Sequence, residues 1–227
     1  MTEQAVRSGP GWGLLGGIAF TFFALGVTVN VLVLERVGSE AKTIVAAIVV
    51  NSATSELAYL AVRDAGGSVV AAVIAGLVVA SRFGLLAASL GSRLEVGRTQ
   101  RVLAGLQAFD PNVGVAMQQA SPREVRRAFW MVTAALHAGW WPGTFVGVFL
   151  GNVIGDAQRW GLDVVFPALL LAIIGNALRQ RQGMVAAVVG GALCALLVPI
   201  APAGVPIIVS VVGAVVAVRI RPVAVAS

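Results

Sequence analysis

Four polar side chains inside an apolar run are the first candidates for chemistry in this sequence. They are Ser52, Ser55, Glu56 and Tyr59, within the run 43–62. On one continuous helix the positions i, i+3, i+4 and i+7 share a face, so this spacing predicts a single polar stripe. A carboxylate at membrane depth is costly and rarely lacks a role. The stripe therefore predicts a substrate or proton site, with helix packing through small hydroxyl residues as the alternative.

Arg82 and Asp110 are the other ionisable residues inside apolar runs. Arg82 lies too far from either end of its run to reach water easily, so it requires an anionic partner, Glu56 or Asp110. Alternatively, Arg82 binds a substrate carboxylate while a nearby carboxylate takes a substrate amine or a proton. Pro111 disfavours helix at the residue before it, so the run 102–120 predicts two half-helices meeting at Asp110. Asp110 is then either an N-cap or a second coupling site.

The remaining residue types argue against an enzyme and against a metal site. The chain has one cysteine, Cys194, and one histidine, His137, so it has no internal disulfide and no Cys/His cluster. It also lacks the GxSxG and HExxH elements of common hydrolases. We therefore predict no enzymatic activity, no metal and no cofactor. Trp140, next to Trp141, is predicted to pack against the substrate cavity or to gate it.

The composition indicates what holds these side chains in place. Of 227 residues, 58% are hydrophobic and 11% charged, and the mean hydropathy is +0.91. A soluble domain needs more charge on its surface, so an all-α polytopic membrane protein is predicted. Windows of about 20 residues give seven spans, namely 11–34, 43–62, 68–90, 129–152, 163–178, 183–199 and 204–218.

The run 102–120 leaves two topologies open. With seven spans and a re-entrant 102–120, the arginine-rich connection 91–128 is cytoplasmic and the amino terminus lies outside. With eight spans the amino terminus lies inside, but Arg93, Arg98 and Arg101 are exported. The loop charges favour the first arrangement. Because the arginines lie between apolar runs and not in an aromatic-rich patch, nucleic-acid binding is not predicted.

One transmembrane domain, 11–218, is predicted between a short amino-terminal tail, 1–10, and a carboxy-terminal tail, 219–227. Gly143 and Gly147 have the GxxxG spacing that lets two membrane helices pack closely. Three prolines predict kinks or interruptions, namely Pro142, Pro167 and Pro199. Segments interrupted in this way are typical of transporters with an inverted repeat, although the sequence shows no clear repeat.

The order and spacing of several short motifs resemble the AzlC family over residues 14–218. The opening GGIAFTFFALGV is similar to the family's first apolar segment, and SATSEL stands where the family has AGSAQF, so that Glu56 replaces its glutamine. SRFGLL keeps Arg82 but has Phe83 where the family has histidine. FDP matches the family's TDE only at Asp110. GWWPGTFVG carries the W-x-x-GT pattern, and LDVVFPALLLAII is similar to LxFxLPALFLALL.

This resemblance implies the large subunit of a two-component exporter of branched-chain amino acids. It implies a small amino-acid-like substrate, ion or proton coupling, a small AzlD-like membrane subunit as partner, and the cell membrane as location. The departures from the family, Glu56 above all, suggest a more cationic substrate or a proton-carrying carboxylate. Two alternatives stay open: a transporter of another small organic ion, and a membrane subunit that does not transport.

Overall fold

The computed structural model describes residues 9–154, 171, 175, 178–201, 205–210 and 212–219. Within these ranges the secondary structure is α-helical, with no strand. The helices are α1 (Trp12–Val37), α2 (Glu40–Val49), α3 (Ala53–Asp64), α4 (Val69–Gly91), α5 (Arg98–Leu106), α6 (Asp110–Met117), α7 (Pro122–Ile154), α8 (Arg181–Leu197), α9 (Val205–Ser210) and α10 (Val212–Val218).

Most predicted spans coincide with helices. The helices α1, α4 and α8 match three of them closely, α7 contains 129–152, and α9 and α10 lie within 204–218. Two helices, α1 and α4, are long and apolar enough to cross a membrane by length and composition. The predicted span 163–178, with Pro167, falls almost wholly outside the described residues. The number of crossings therefore stays a prediction.

The predicted continuous helix over 43–62 is wrong. Helix α2 ends at Val49, and α3 begins only at Ala53. Between them Asn51 has φ 48°, in the left-handed region that asparagine tolerates better than most residues. Ser52 lies in this break and not on α3, so the predicted four-residue stripe loses its first member.

The chain forms two compact units that alternate along the sequence. Unit 1 comprises residues 1–53 and 80–155, and unit 2 comprises residues 54–79 and 156–227. In unit 2, α8 packs closely on α9 and α10. A β-carbon on Gly190 of α8 would lie 2.7 Å from Ser210 O at the end of α9, and one on Gly213 of α10 would lie 2.5 Å from Ala186 O of α8. Whether 11–218 acts as a single transmembrane domain stays a prediction.

Helix α7 is the element on which unit 1 is built. It has 33 residues and continues through Pro142, so that proline does not interrupt it. At about 1.5 Å per residue its length is about 50 Å, more than a bilayer's hydrocarbon core. Its main partner is α1, and the contact runs over nearly the full length of both helices.

Small residues allow α1 and α7 to touch backbone to backbone. A β-carbon on Gly26 would lie 2.8 Å from Trp140 O, and one on Gly147 would lie 2.5 Å from Val27 O. A β-carbon on Gly143 would collide with the carbonyl of Phe23. The structure thus places the predicted GxxxG pair in a close helix contact.

The same contacts show that α1 and α7 run parallel. Leu15 packs with Val132 and Leu136, while Gly151 near the end of α7 lies close to Leu34 near the end of α1. At the start of both helices, a β-carbon on Gly9 would lie 4.0 Å from Arg127 Nε. The amino-terminal end of the described chain and the arginine-rich start of α7 therefore lie at one end of unit 1. This proximity does not fit the predicted combination of an outside amino terminus and a cytoplasmic 91–128 connection, and the sides of the membrane stay a prediction.

Replacing Gly143 with leucine is expected to prevent α1 from docking on α7, because no rotamer avoids the backbone of Phe23. Overpacking of this kind typically costs about 1–3 kcal/mol or more. We expect a clear fall in the midpoint of thermal unfolding, measured on detergent-solubilised protein by size-exclusion chromatography after heating. Gly17→Leu is the matched control, because no atom lies within 4 Å of a β-carbon there. Equal midpoints for the two variants would contradict the close contact.

Candidate functional site

Arg82 and Asp110 form an ion pair, as the sequence suggested. Arg82 Nη2 lies 3.4 Å from Asp110 Oδ2. The guanidinium lies 4.9 Å from the ring centroid of Phe83, and that ring makes an edge contact with Phe109 at 5.3 Å. The pair was predicted to be buried, and this is wrong: the side chains of Arg82 and Asp110 are 48% and 57% exposed. It lies on a surface of unit 1 at the point where two short helices meet.

The predicted break at Asp110 is confirmed. Helix α5 ends at Leu106, and α6 starts at Asp110. Asp110 is the first helical residue and makes no cap, so the N-cap alternative is wrong. Asn112 caps the helix instead: its Oδ1 accepts a hydrogen bond from the Phe109 N–H at 2.8 Å, and its Nδ2 donates to Gln107 O at 2.6 Å. Its side chain is fully buried.

Both ends of the α5–α6 segment lie at the same end of unit 1. Arg93, just after α4, donates from Nη1 to Met117 O at 3.1 Å and from Nη2 to Gln119 O at 3.0 Å. Leu90 and Leu94, at the end of α4, pack in one cluster with residues from the start of α7. The chain therefore leaves α4 and enters α7 at the same level. This is the geometry predicted for a re-entrant 102–120.

The break between α2 and α3 is fixed to the middle of α7. Asn51 Nδ2 lies 3.1 Å from His137 Nε2, and Trp140 Nε1 donates to Ala47 O at 3.0 Å. At the other end of α2, Asn152 Nδ2 donates to Glu40 Oε1 at 2.9 Å. Helix α2 therefore runs antiparallel to α7 and ends near its midpoint. Trp140 anchors α2 in this structure and is only 3% exposed.

The two chain breaks converge on one turn of α7. His137 Nδ1 lies 2.8 Å from Thr133 O, and Thr133 Oγ1 accepts from Asn112 Nδ2 at 2.8 Å. A line of hydrogen bonds thus runs from Asn51 through His137 and Thr133 to Asn112. His137 is about 23 Å from the start of α7 and about 25 Å from its end. The two breaks therefore meet near the middle of α7.

A second polar contact continues this line toward α1. Asn30 Nδ2 donates to Gly26 O at 2.8 Å and to Thr144 Oγ1 at 3.2 Å, and Thr144 Oγ1 donates to Trp140 O at 2.9 Å. Trp140, Gly143 and Thr144 of the W-x-x-GT pattern thus hold α1 and α2 on α7. Among the described residues, Asn30 Oδ1 has no hydrogen-bond partner.

Three of the predicted site residues belong to unit 2. Ser55 and Glu56 are buried on α3, and Tyr59 packs with Val62 and Ala72 of the same unit. Both carboxyl oxygens of Glu56 are buried without a hydrogen-bond partner in the described part of the chain. A charged carboxylate in this setting is poorly solvated, so Glu56 is suited to hold a proton or to receive a cationic group.

The predicted site residues are thus only partly brought together. The structure joins Arg82 to Asp110 and places Ser52 and Trp140 in unit 1, while Ser55, Glu56 and Tyr59 form a separate group in unit 2. Among the described residues, no group of histidine, cysteine and carboxylate side chains is arranged for a metal. Asn51, Asn112 and Thr133 were not predicted. The sequence did contain a signal for this region, namely a spacing that places four residues on one face of a helix: Thr133, His137, Trp140 and Thr144.

The family model for AzlC protein matches residues 17–154. This range contains both chain breaks, the Arg82–Asp110 pair, Glu56 and the W-x-x-GT pattern. No curated protein matches the chain, and no solved structure matches it.

Proposed function

This chain belongs to the AzlC family, and we propose that it is the large subunit of a secondary transporter that exports small neutral, branched-chain-like amino acids. The family is associated with subunits of branched-chain amino acid exporters. The observation in the structure that carries the proposal is the convergence of two interrupted helices on the centre of α7. Interrupted helices expose backbone groups and helix dipoles at membrane depth, and transporters use such points to bind substrates and ions.

The residues proposed to bind substrate and protons are taken unit by unit, beginning with the Arg82–Asp110 pair of unit 1. Arg82 binds or releases a substrate carboxylate, and Asp110 holds Arg82 in the absence of substrate. A charged pair with half-exposed side chains does not face lipid, which favours a polar cavity beside it. In unit 1, Ser52 is a further candidate for contact with the substrate. In unit 2, considered by itself, Glu56 is proposed to take an amine or a proton, with Ser55 and Tyr59 on the same helix. Trp140 keeps α2 in position.

The directions of the helices support a revised membrane arrangement. Helices α1, α4 and α7 cross the membrane, while α2–α3 and α5–α6 both re-enter. Together with 163–178, 183–199 and 204–218 this makes six crossings. The arginines that then share the cytoplasmic side with the amino terminus are Arg93, Arg98, Arg101, Arg123, Arg126 and Arg127.

Export by this family commonly involves a small membrane subunit, and we include an AzlD-like partner in the proposal. The cytoplasmic membrane is the proposed location, because α4 carries Arg82 as its one charged residue and only 11% of its most apolar window is buried. Such a helix suits contact with lipid or with a second membrane chain.

The function is tested by counterflow in proteoliposomes. Vesicles loaded with unlabelled leucine, valine or isoleucine should accumulate the labelled amino acid transiently, with and without a candidate small subunit. Counterflow needs no ion gradient, so it tests transport apart from coupling. No exchange of any amino acid or small organic ion by folded protein, with the partner present, would refute the proposal and favour a subunit that does not transport.

A further inference from the structure

His137 is the side chain that links the two converging breaks. With the Asn51 amide oriented as in this structure, the hydrogen bonds of His137 indicate where its protons lie. Thr133 O can only accept, so Nδ1 carries a proton. Asn51 donates from Nδ2, so Nε2 accepts with its lone pair. In this arrangement the imidazole is neutral, and it uses both ring nitrogens in holding the α2–α3 break on α7.

A second proton on His137 is incompatible with this arrangement. Protonation at Nε2 turns the acceptor into a donor, and the ring N–H then faces the amide N–H of Asn51. The bond is lost unless the amide turns to present its oxygen. Asn51, with φ 48°, is the residue of the break whose side chain contacts the middle of α7. Removal of the contact with His137 therefore favours movement of the break.

The surroundings of His137 allow a proton to arrive and to be held. His137 lines a cavity of about 700 Å³ along α7, together with Thr133, Trp130 and Trp141. The ring of Trp141 lies at 4.9 Å in an edge contact. The cavity is open along one side and is lined mainly by apolar groups, and Thr133 and His137 are among its polar residues.

Ionisable side chains on the packed helices lie away from His137. On α1 they are Glu35 and Arg36, near its end; on α2, Glu40 and Lys42, in its first turn; on α7, Arg123, Glu124, Arg126 and Arg127, in its first turns. Helix α6 carries Asp110, paired with Arg82 and two residues before Asn112. The break itself contributes Asn51 and Ser52, neither of which is ionisable.

We infer that His137 is the proton-binding site that couples the movement of the α2–α3 break to transport. A proton from water binds Nε2 and breaks the bond from Asn51 Nδ2. Loss of the proton restores that bond. This inference rests on the proposed function for its role in transport, but the protonation-dependent release of Asn51 stands by itself.

Labelling of a cysteine in the break tests the release directly. In a Cys194→Ala background, Ser52→Cys should react with a small membrane-permeant maleimide faster at low pH than at high pH, over the range of about pH 5 to 8 in which histidines titrate. Each labelling rate is divided by the labelling rate of free cysteine at the same pH, which corrects for the pH dependence of thiol reactivity. We expect a change of about fivefold or more. His137→Gln should remove the pH dependence, because glutamine accepts from Asn51 at every pH.

Transport measurements separate this inference from the proposed function. His137→Gln should retain leucine counterflow but lose accumulation driven by a pH gradient. Gln118→Ala, which removes an exposed amide bonded only within its own helix, should change neither. The inference is overturned if labelling of the His137→Gln variant still depends on pH. It is also overturned if this variant still accumulates leucine when a pH gradient is applied. Absence of counterflow in the wild-type protein would refute the proposed function and leave the labelling result to decide on His137.

Discussion

Replacing Arg82 with glutamine is expected to abolish substrate counterflow and to reduce the amount of folded protein in the membrane. The variant leaves Asp110 without the cation that lies 3.4 Å away. A single charge at bilayer depth costs about 2.5–3.5 kcal/mol on insertion scales. Folded protein is measured as the monodisperse fraction after solubilisation, and counterflow is measured per folded molecule. We expect residual counterflow of less than about a tenth of the wild-type rate.

The double variant Arg82→Gln with Asp110→Asn separates the two effects. It removes both charges together, so the yield of folded protein should recover toward the wild-type value. Counterflow should stay lost, because the group proposed to bind the substrate carboxylate is absent. Recovery of both yield and counterflow would show that the pair only stabilises the fold. Arg63→Gln is a control, since this arginine lies at the end of α3 and bonds only to Gly67 O nearby.

Apolar length and proline position were sufficient to predict much of the helical pattern. The bounds of α1 and α4 follow from uninterrupted apolar runs, and the α5–α6 break follows from Pro111, which a continuous helix does not accommodate. The Arg82–Asp110 pair was predictable because few carboxylates were available at depth. Its exposure was not predictable, since exposure depends on which neighbouring helix covers it.

The sequence did not predict the α2–α3 break, because the residues in the break do not strongly disfavour helix formation. Asn51 has a moderate helix propensity, and only its tolerance of positive φ distinguishes it. Its bond to His137 joins residues 86 apart in sequence, which periodicity cannot reveal. The error bears on the proposed topology, because the arrangement with an outside amino terminus counted 43–62 as a crossing.

The role of His137 was missed for a different reason. As the only histidine it was considered as a metal ligand, and it fails that test. Its partners are a threonine carbonyl one turn away and an asparagine in a chain break. The four-residue stripe of Thr133, His137, Trp140 and Thr144 was visible in the sequence, but a polar stripe alone does not say which helices it will meet.

Replacing Glu56 with glutamine is expected to change transport without destabilising the protein. In the described structure neither carboxyl oxygen of Glu56 has a hydrogen-bond partner, so glutamine loses no contact there and buries no charge. The midpoint of thermal unfolding should not fall. The preference between neutral and cationic amino acids, or the dependence of the counterflow rate on pH, should change by about fivefold or more, because glutamine can neither attract an amine by charge nor exchange a proton.

The matched control for this prediction is Glu40→Gln, which changes an exposed carboxylate on a helix in the same way. It should leave both substrate preference and pH dependence unchanged. If Glu56→Gln and Glu40→Gln behave alike in transport, Glu56 has no part in substrate or proton binding. If Glu56→Gln removes the pH dependence and His137→Gln retains it, the proton is carried in α3 and not at the centre of α7. The pair of variants therefore assigns the coupling proton to one of the two units.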